Sequence, residues 1–305
     1  MSDAACPVPS DDPAGPDDGQ GSPTPGLVLV STPIGNLADM TPRGLAALRA
    51  AELVLCEDTR TTARLLAAHG ISARTAPLHD HNEDERIGAV LAMLRAGRRV
   101  ALVSDAGTPL VSDPGFRLVR AALAEGLPVG AIPGANAAVL ALVLSGLPPH
   151  PFLFLGFPPP REAARRAAFG RLRAVERAGL AATLIWYEAP HRLAETLAAM
   201  LDAFGDRPAA VARELTKRFE EVRRAPLAEL VTHYATQPAR GEVTVLLGPA
   251  AEEATQAMEL DAHLLAAMAD HSLKDAAALV AAATALPRKL VYARALELQA
   301  ARPAP

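Results

Sequence analysis

Twelve residues, Ser104 to Gly115, hold two Asp, two Gly and two Pro between an apolar run and an amphipathic one. A purely connective loop between alternating strands and helices is usually about two to six residues. A longer loop stiffened by Pro and opened by Gly suits ligand binding. Asp105 stands directly at the end of the apolar run and is a candidate contact. Asp113 precedes Pro114 and reads as a helix cap. Glu57-Asp58-Thr59-Arg60 puts two carboxylates and a guanidinium after another apolar run. Two readings stay open there. Asp58 or Thr59 caps a helix while Glu57 pairs with Arg60, or the acids orient a hydroxyl and one acts as general base.

Thr32-Pro33-Ile34-Gly35-Asn36 is a glycine-bearing turn. It lacks the glycine triplet of a dinucleotide site and the lysine of a phosphate loop, which argues against phosphoryl transfer. His79-Asp80-His81-Asn82-Glu83 resembles a metal cluster only in composition. Alternating residues on a loop need not converge, so polar substrate contacts are expected and no metal. Farther on, Tyr187 in Trp186–Arg192 either stacks on a purine or packs in a core. Ala212–Arg218 mixes Glu214 with three cations, and the stretch Arg161–Arg177 carries six Arg against Glu162 and Glu176. That bias fits either a solvated face or a surface for a phosphate backbone.

These groups sit where strands end. Apolar runs at Leu27–Ser31, Leu53–Cys56, Arg74–Leu78, Arg99–Ser104 and Val129–Ile132 read as strands. Helical stretches alternate with them: Pro42 to about Ala51 after a Thr41 cap, Thr59–His69, Glu83–Ala96, Pro114–Glu125 and Ala135–Ser145. Such alternation predicts a mostly parallel sheet with helices on both faces, whose ligand loops lie at the carboxyl ends of the strands. Gly146–Pro151 reads as a linker. A second α/β unit follows, with strands Phe152–Leu155, Ala182–Tyr187, Ala209–Arg213, Glu221–Arg223 and Glu242–Leu247. Its helices are Arg161–Arg177, His191–Phe204 and Leu227–Tyr234. Leu260–Ala269, Leu273–Ala283 and Pro287–Leu298 read as three short helices, as in a helix-turn-helix. The expected division is a disordered tail 1–26, α/β domains 27–147 and 148–251, and a helical segment 252–301.

Composition excludes several classes. Among 305 residues 50% are hydrophobic and the net charge is −4. The tail accounts for five Asp and no base, leaving 29 acids against 30 bases in the rest, so no global field advertises nucleic acid. Two cysteines argue against a disulfide framework and for a reducing cytoplasm. No base precedes Arg43, so a signal peptide is not expected, and no apolar run reaches the length of a membrane span.

Taken together and in order, these loops resemble the tetrapyrrole methylase superfamily, two-domain α/β enzymes that bind S-adenosylmethionine in the cleft between the domains. Within it, Thr32–Leu37, Glu57–Arg60, His79–Glu83, Ser104–Gly115 and Arg213–Lys217 look like the ribosomal RNA small subunit methyltransferase I branch. The resemblance runs from about Leu27 to Gly248, and the helical tail resembles a helix-turn-helix appended to some members. One departure is Pro133-Gly134-Ala135-Asn136, where the family usually has Pro-Gly-Pro and a small residue. The resemblance implies transfer of a methyl group to the ribose 2′-hydroxyl of a cytidine in the decoding region of 16S rRNA, within the small ribosomal subunit. It also implies a cytoplasmic homodimer with no membrane contact. S-adenosylmethionine would be held by Pro33, Gly35, Asp105, Ala106, Gly107, Thr108, Pro133, Gly134, Ala135, Tyr187, Ala212 and Arg213. Candidates to activate the hydroxyl are Asp58, Glu214 and Lys217, the last needing a lowered pKa. RNA would meet Arg60, His79, His81, Asn82, Arg165, Arg166, Arg173 and Arg218. Two other readings stand beside it: a tetrapyrrole-precursor methyltransferase of the same fold, and a ligand-sensing regulator that binds nucleic acid through residues 252–301.

Overall fold

Alternating apolar residues sort themselves onto two faces of a sheet. In the computed structural model, which describes residues 26–79, 82–250, 252–284 and 286–300, five strands lie in the order β3-β2-β4-β1-β5, all parallel. They are β1 (Gly26–Val30), β2 (Leu53–Cys56), β3 (Thr75–Pro77), β4 (Arg99–Val103) and β5 (Val129–Ile132). Leu27, Leu53, Leu55, Val100 and Leu102 face α3 (Glu83–Arg95) and α4 (Phe116–Ala124). Val30, Val54, Cys56, Ala101 and Val103 face α1 (Pro42–Ala50) and α2 (Thr59–Ala68). Successive side chains alternate across a strand, so burial on both sides requires these unbroken apolar runs. Thr41 caps α1 by accepting the Gly44 N–H, with Pro42 at the first helical position. The tail expected to be disordered lies outside the described residues, apart from Gly26 in β1.

The second sheet is mixed, in the order β6-β7-β10-β8-β9, with only β6 and β7 parallel. Its strands are β6 (Phe152–Phe154), β7 (Thr183–Glu188), β8 (Pro208–Arg213), β9 (Glu221–Pro226) and β10 (Val243–Leu247). One face is buried by Phe169, Leu197, Met200, Phe204, Leu227 and Leu230, carried on α6 (Glu162–Arg177), α7 (Leu193–Phe204) and α8 (Leu227–Thr236). Then α9 (Glu252–Asp270), α10 (Leu273–Thr284) and α11 (Arg288–Ala300) enclose Leu260, Leu264, Val280 and Val291. Arg294 forks onto both carboxylate oxygens of Asp261 at 2.7 Å, tying α11 to α9. Among the described residues no helix is long and apolar enough to cross a membrane.

Two expectations change. The helix expected from Pro114 begins at Phe116, and its cap is Gly115 at φ 115° with no side-chain bond, so Asp113 is not a cap. Only glycine fits there, because a Cβ would also meet Leu102 Cδ2 at 2.6 Å. The division expected after residue 147 falls earlier. Among the described residues, the first unit takes 26–33 with those of 37–135, and the second takes Ile34–Asn36 and those from Asn136 on. The reason is α5 (Ala137–Ser145), which packs on β7, β8, β9 and β10.

Within the second unit, buried Glu176 receives Arg207 at 2.8 Å and Arg173 at 3.1 Å. Glu176→Ala strands two cations in low dielectric and is expected to cost about 3–5 kcal/mol, read as a lower urea midpoint in circular dichroism.

Candidate functional site

The first unit gathers its odd residues where neighbouring strands send the chain in opposite directions. From β1 the chain crosses beyond β4 to β2, while from β4 it crosses beyond β1 to β5. Open α/β sheets bind ligands at such a point. The two loops there are stitched together. Thr32 N–H donates to Gly107 O at 2.8 Å, and Gly107 N–H to Thr32 O at 3.1 Å. Thr32 Oγ1 donates to Ser104 O at 3.1 Å, and Ser104 Oγ to Gly107 O at 2.9 Å. Gly107 itself takes φ 83°, and Leu110 and Ser112 follow at φ 70° and 68°. Non-glycine residues in that region cost roughly 1–2 kcal/mol each, so the loop is held against its own preference.

Expected cofactor residues line this edge. Asp105 Oδ1 accepts the Asp58 N–H at 3.0 Å, joining the ends of β2 and β4. Thr108 Oγ1 donates to Ala135 O at 3.1 Å, tying the loop after β4 to the one after β5. Pro133, Gly134 and Ala106 are exposed. Gly134 lies so close to strand β1's end that a Cβ would meet Ser31 Cβ at 2.7 Å. Backbone is thereby presented without side chains in front of it. Asn136 caps α5 through the Val139 N–H.

The acids near this edge differ sharply. Asp58 caps α2 and grips Arg60, whose side-chain hydrogen bonds chiefly lower its pKa to about 2. The capping reading therefore holds for Asp58, and a carboxylate that weakly basic is a poor general base. Asp113, set aside as a cap, is instead half-buried. Burial first, then the charges of Glu57 and Asp105, raise its pKa to about 6, against a hydrogen bond with Ser104. Sequence reasoning missed it because Asp-Pro before a helix is also the signature of a cap.

The second unit places another cluster at the facing ends of β7 and β8. Tyr187, Thr244 and Ala212 form one cross-strand row, since Thr244 is registered with both of the others. Tyr187 is held by Phe154 at 4.8 Å and Phe157 at 5.6 Å, both edge-on. Arg213 closes on Glu221 at 2.6 Å. Beyond it, Glu214 and Thr216 adopt φ 51° and 65°. Glu214 Oε1 accepts from Lys217 Nζ at 3.0 Å and from the Glu242 N–H at 3.1 Å. Lys217 Nζ also reaches Glu242 at 3.1 Å. Gly35 belongs to this cluster. A Cβ on it would meet Lys217 Cγ at 2.4 Å, Thr216 Oγ1 at 2.8 Å and Leu215 O at 3.0 Å. Two loops far apart in sequence thus share one tight contact.

Burial disfavours charge on both Glu214 and Lys217, but their mutual bonds and those to Glu242 outweigh it. Glu214 falls below its ordinary pKa and Lys217 rises above. Lys217 therefore lacks the lowered pKa a basic amine needs, and its ammonium is held in place by two carboxylates.

Of the expected RNA contacts, some are spent inside. Arg165 is 2% exposed and donates to Pro160 O and Glu195, so it cannot serve a phosphate backbone. Arg173 is committed to buried Glu176. Both share the Phe169 face of α6, and the spacing 165–169–173–176 is a core stripe that would have revealed this. Arg166 is exposed but shared between Glu162 and Asp202. Asn82 is turned inward, accepting the His79 N–H and donating to Pro77 O, which closes the turn before α3. His81 lies outside the described residues. Arg60 and Arg218 are exposed, Arg218 lying 5.6 Å over Phe219. No group of three or more His, Cys, Asp or Glu among the described residues is arranged to hold a metal.

Asp113 predicts a pH-dependent stability. Its folded pKa lies above its unfolded one, so the folded state binds the extra proton and stability falls as pH rises from about 4 to 6. Asp113→Asn is expected to gain about 1–2 kcal/mol at pH 8, after allowance for solvent screening, and nothing at pH 4. Thermal melts of both proteins across that range would show it.

Residues 26–231 match the Tetrapyrrole (Corrin/Porphyrin) Methylases, and residues 254–299 match the RsmI C-terminal HTH domain. A ribosomal RNA small subunit methyltransferase I of Mesorhizobium japonicum is 47% identical, over 90% of this chain and 92% of its own. That of Pseudomonas aeruginosa is 48% identical over 90% and 97%. Among solved structures, the methyltransferase CobJ superposes with a TM-score of 0.56 at 22% identity, over 74% of this chain and 95% of its own. With such identity over nine-tenths of its length and both family models matched along it, the chain belongs to the ribosomal RNA small subunit methyltransferase I family of the tetrapyrrole methylases.

Proposed function

We propose that this protein methylates the ribose 2′-hydroxyl of a cytidine in the decoding region of 16S rRNA, using S-adenosylmethionine and working as a cytoplasmic homodimer. The observation that carries the reading is the contact of Gly35 with Leu215–Lys217, which joins two of the motifs that mark the family. S-adenosylmethionine, when bound, supplies an electrophilic methyl group on a sulfonium. The residues present suit such a molecule, which carries no phosphate. Exposed Ala106 and Gly134 offer backbone rather than cations, and no lysine-bearing phosphate loop is needed. Thr216 Oγ1 is buried with no hydrogen-bond partner, a polar atom ready for a ligand. We assign Pro33, Gly35, Asp105–Thr108, Pro133–Ala135, Tyr187 and the Ala212–Arg213 strand end to the cofactor. Arg213 is fixed at the end of β8 by Glu221.

The acceptor must be held in line with the methyl group, about 3–3.5 Å away. Fixed geometry supplies most of that help. Lys217, anchored by Glu214 and Glu242, offers its remaining hydrogen-bonding capacity to the acceptor ribose or its phosphate. Glu214 keeps the lysine charged and aimed. Asp58 acts through its hold on Arg60, which can meet a phosphate. Exposed Arg218 adds a second cation.

Purified protein, labelled S-adenosylmethionine and small ribosomal subunits lacking the modification test the reading. Label is expected in an alkali-resistant dinucleotide bearing 2′-O-methylcytidine. Label on a porphyrinoid instead would replace the proposal with a tetrapyrrole reaction. Lys217→Met is expected to lower kcat about 100-fold, the usual loss for one preorganised donor, with cofactor affinity within twofold by calorimetry.

A further inference from the structure

After β6 the chain turns through Phe157, Pro158 and Pro159, and these residues wall one side of a cavity of about 270 Å³. Ala168, Arg171, Leu172 and Val175, spaced as one stripe of α6, form the other side, and Trp186 lines it as well. Its volume falls just below the roughly 300–1,000 Å³ range of small-ligand pockets, enough for one flat ring rather than a whole cofactor.

The walls are built in advance. Three successive prolines stiffen the entry loop. Buried Arg165 donates to Pro160 O and fixes where that loop ends. Phe157 is braced by Tyr187 and is still 54% exposed, so an apolar ring is kept in water. The rim is cationic. Arg171 is exposed and, among the described residues, makes no ion pair or hydrogen bond through its guanidinium. Arg161, which precedes α6, is exposed as well. An apolar slot beside unneutralised guanidinium matches a body that is flat and apolar with a negative charge attached. An aliphatic side chain of a protein would fill the slot but leave the charge without purpose.

We propose that this cavity takes one unpaired nucleobase of the RNA substrate, stacked on Phe157, with the neighbouring phosphate on Arg171. The proposal rests on the reading that the substrate is RNA. It gives the arginine-rich helix a use that Arg165 and Arg173 do not supply.

Trp186 is the only tryptophan of the chain and lines the cavity, so its fluorescence reports occupancy. Full-length protein is titrated with a single-stranded oligoribonucleotide and with the same backbone made abasic. The first is expected to quench Trp186 and the second to leave it unchanged. Phe157→Ala is expected to weaken binding about tenfold, as for the loss of one stacked base, and Phe157→Tyr to restore it. Arg171→Ala is expected to reduce the salt slope by about 0.7, one contact on a single strand. Equal binding of the abasic strand, or unchanged affinity in Phe157→Ala and Arg171→Ala while rRNA is still methylated, would overturn the pocket and leave the function standing. Quenching by oligoribonucleotide without any methylation of rRNA would keep the pocket and remove the function. A Trp186 response to whole small subunits but none to naked RNA would assign the cavity to a protein side chain and overturn the proposal.

Discussion

The reciprocal hydrogen bonds between Thr32 and Gly107 decide the shape of the first unit's working edge. They pair the chain just past β1 with the chain just past β4, where the sheet's winding reverses. Without that pairing, the loop from Ser104 to Gly115 would have no reason to keep Leu110 and Ser112 in left-handed backbone. With it, Asp105 is delivered to the Asp58 backbone and Thr108 to the Ala135 carbonyl. Four strand ends become one surface, and its exposed parts are mostly glycine, alanine and proline backbone.

Much of this was legible because local and long-range demands agree. Leu53–Cys56 and Val129–Ile132 form strands over the very residues expected, since each is an apolar run closed on both sides by polar or glycine-bearing turns. Thr41-Pro42 starts α1 for local reasons alone. Legibility ended where tertiary packing chose between two uses of one residue. Asp113 carries the sequence mark of a cap, but the strained turn before it delays α4 to Phe116 and leaves the carboxyl among other acids. Nothing local says that α5 joins the second sheet. The need for Gly35 follows from Lys217 and its neighbours, which no nearby residue announces.

Charge in this protein is mostly spoken for. Glu214, Lys217 and Glu242 satisfy one another, as do Arg213 and Glu221, and Glu176 with its two arginines. Pairing sharpens position at the expense of proton exchange, because each partner holds the other ionised. Such an arrangement suits a reaction in which the carbon donor is already activated and the protein's task is alignment. The arginines of α6 follow the same division. Arg165 and Arg173, beside Phe169, lock the fold, whereas Arg171 keeps its charge for whatever approaches.

The partition of the chain also has a consequence in time. Residues 34–36 are made early, yet the residues that back them, 215–217, emerge from synthesis roughly 180 residues later, on the order of ten seconds or more at ordinary translation rates. The parallel sheet has all its strands long before then. Its opening loop stays unbacked until most of the polypeptide exists, so a truncated nascent chain would be folded in part yet unable to assemble the Gly35–Lys217 contact.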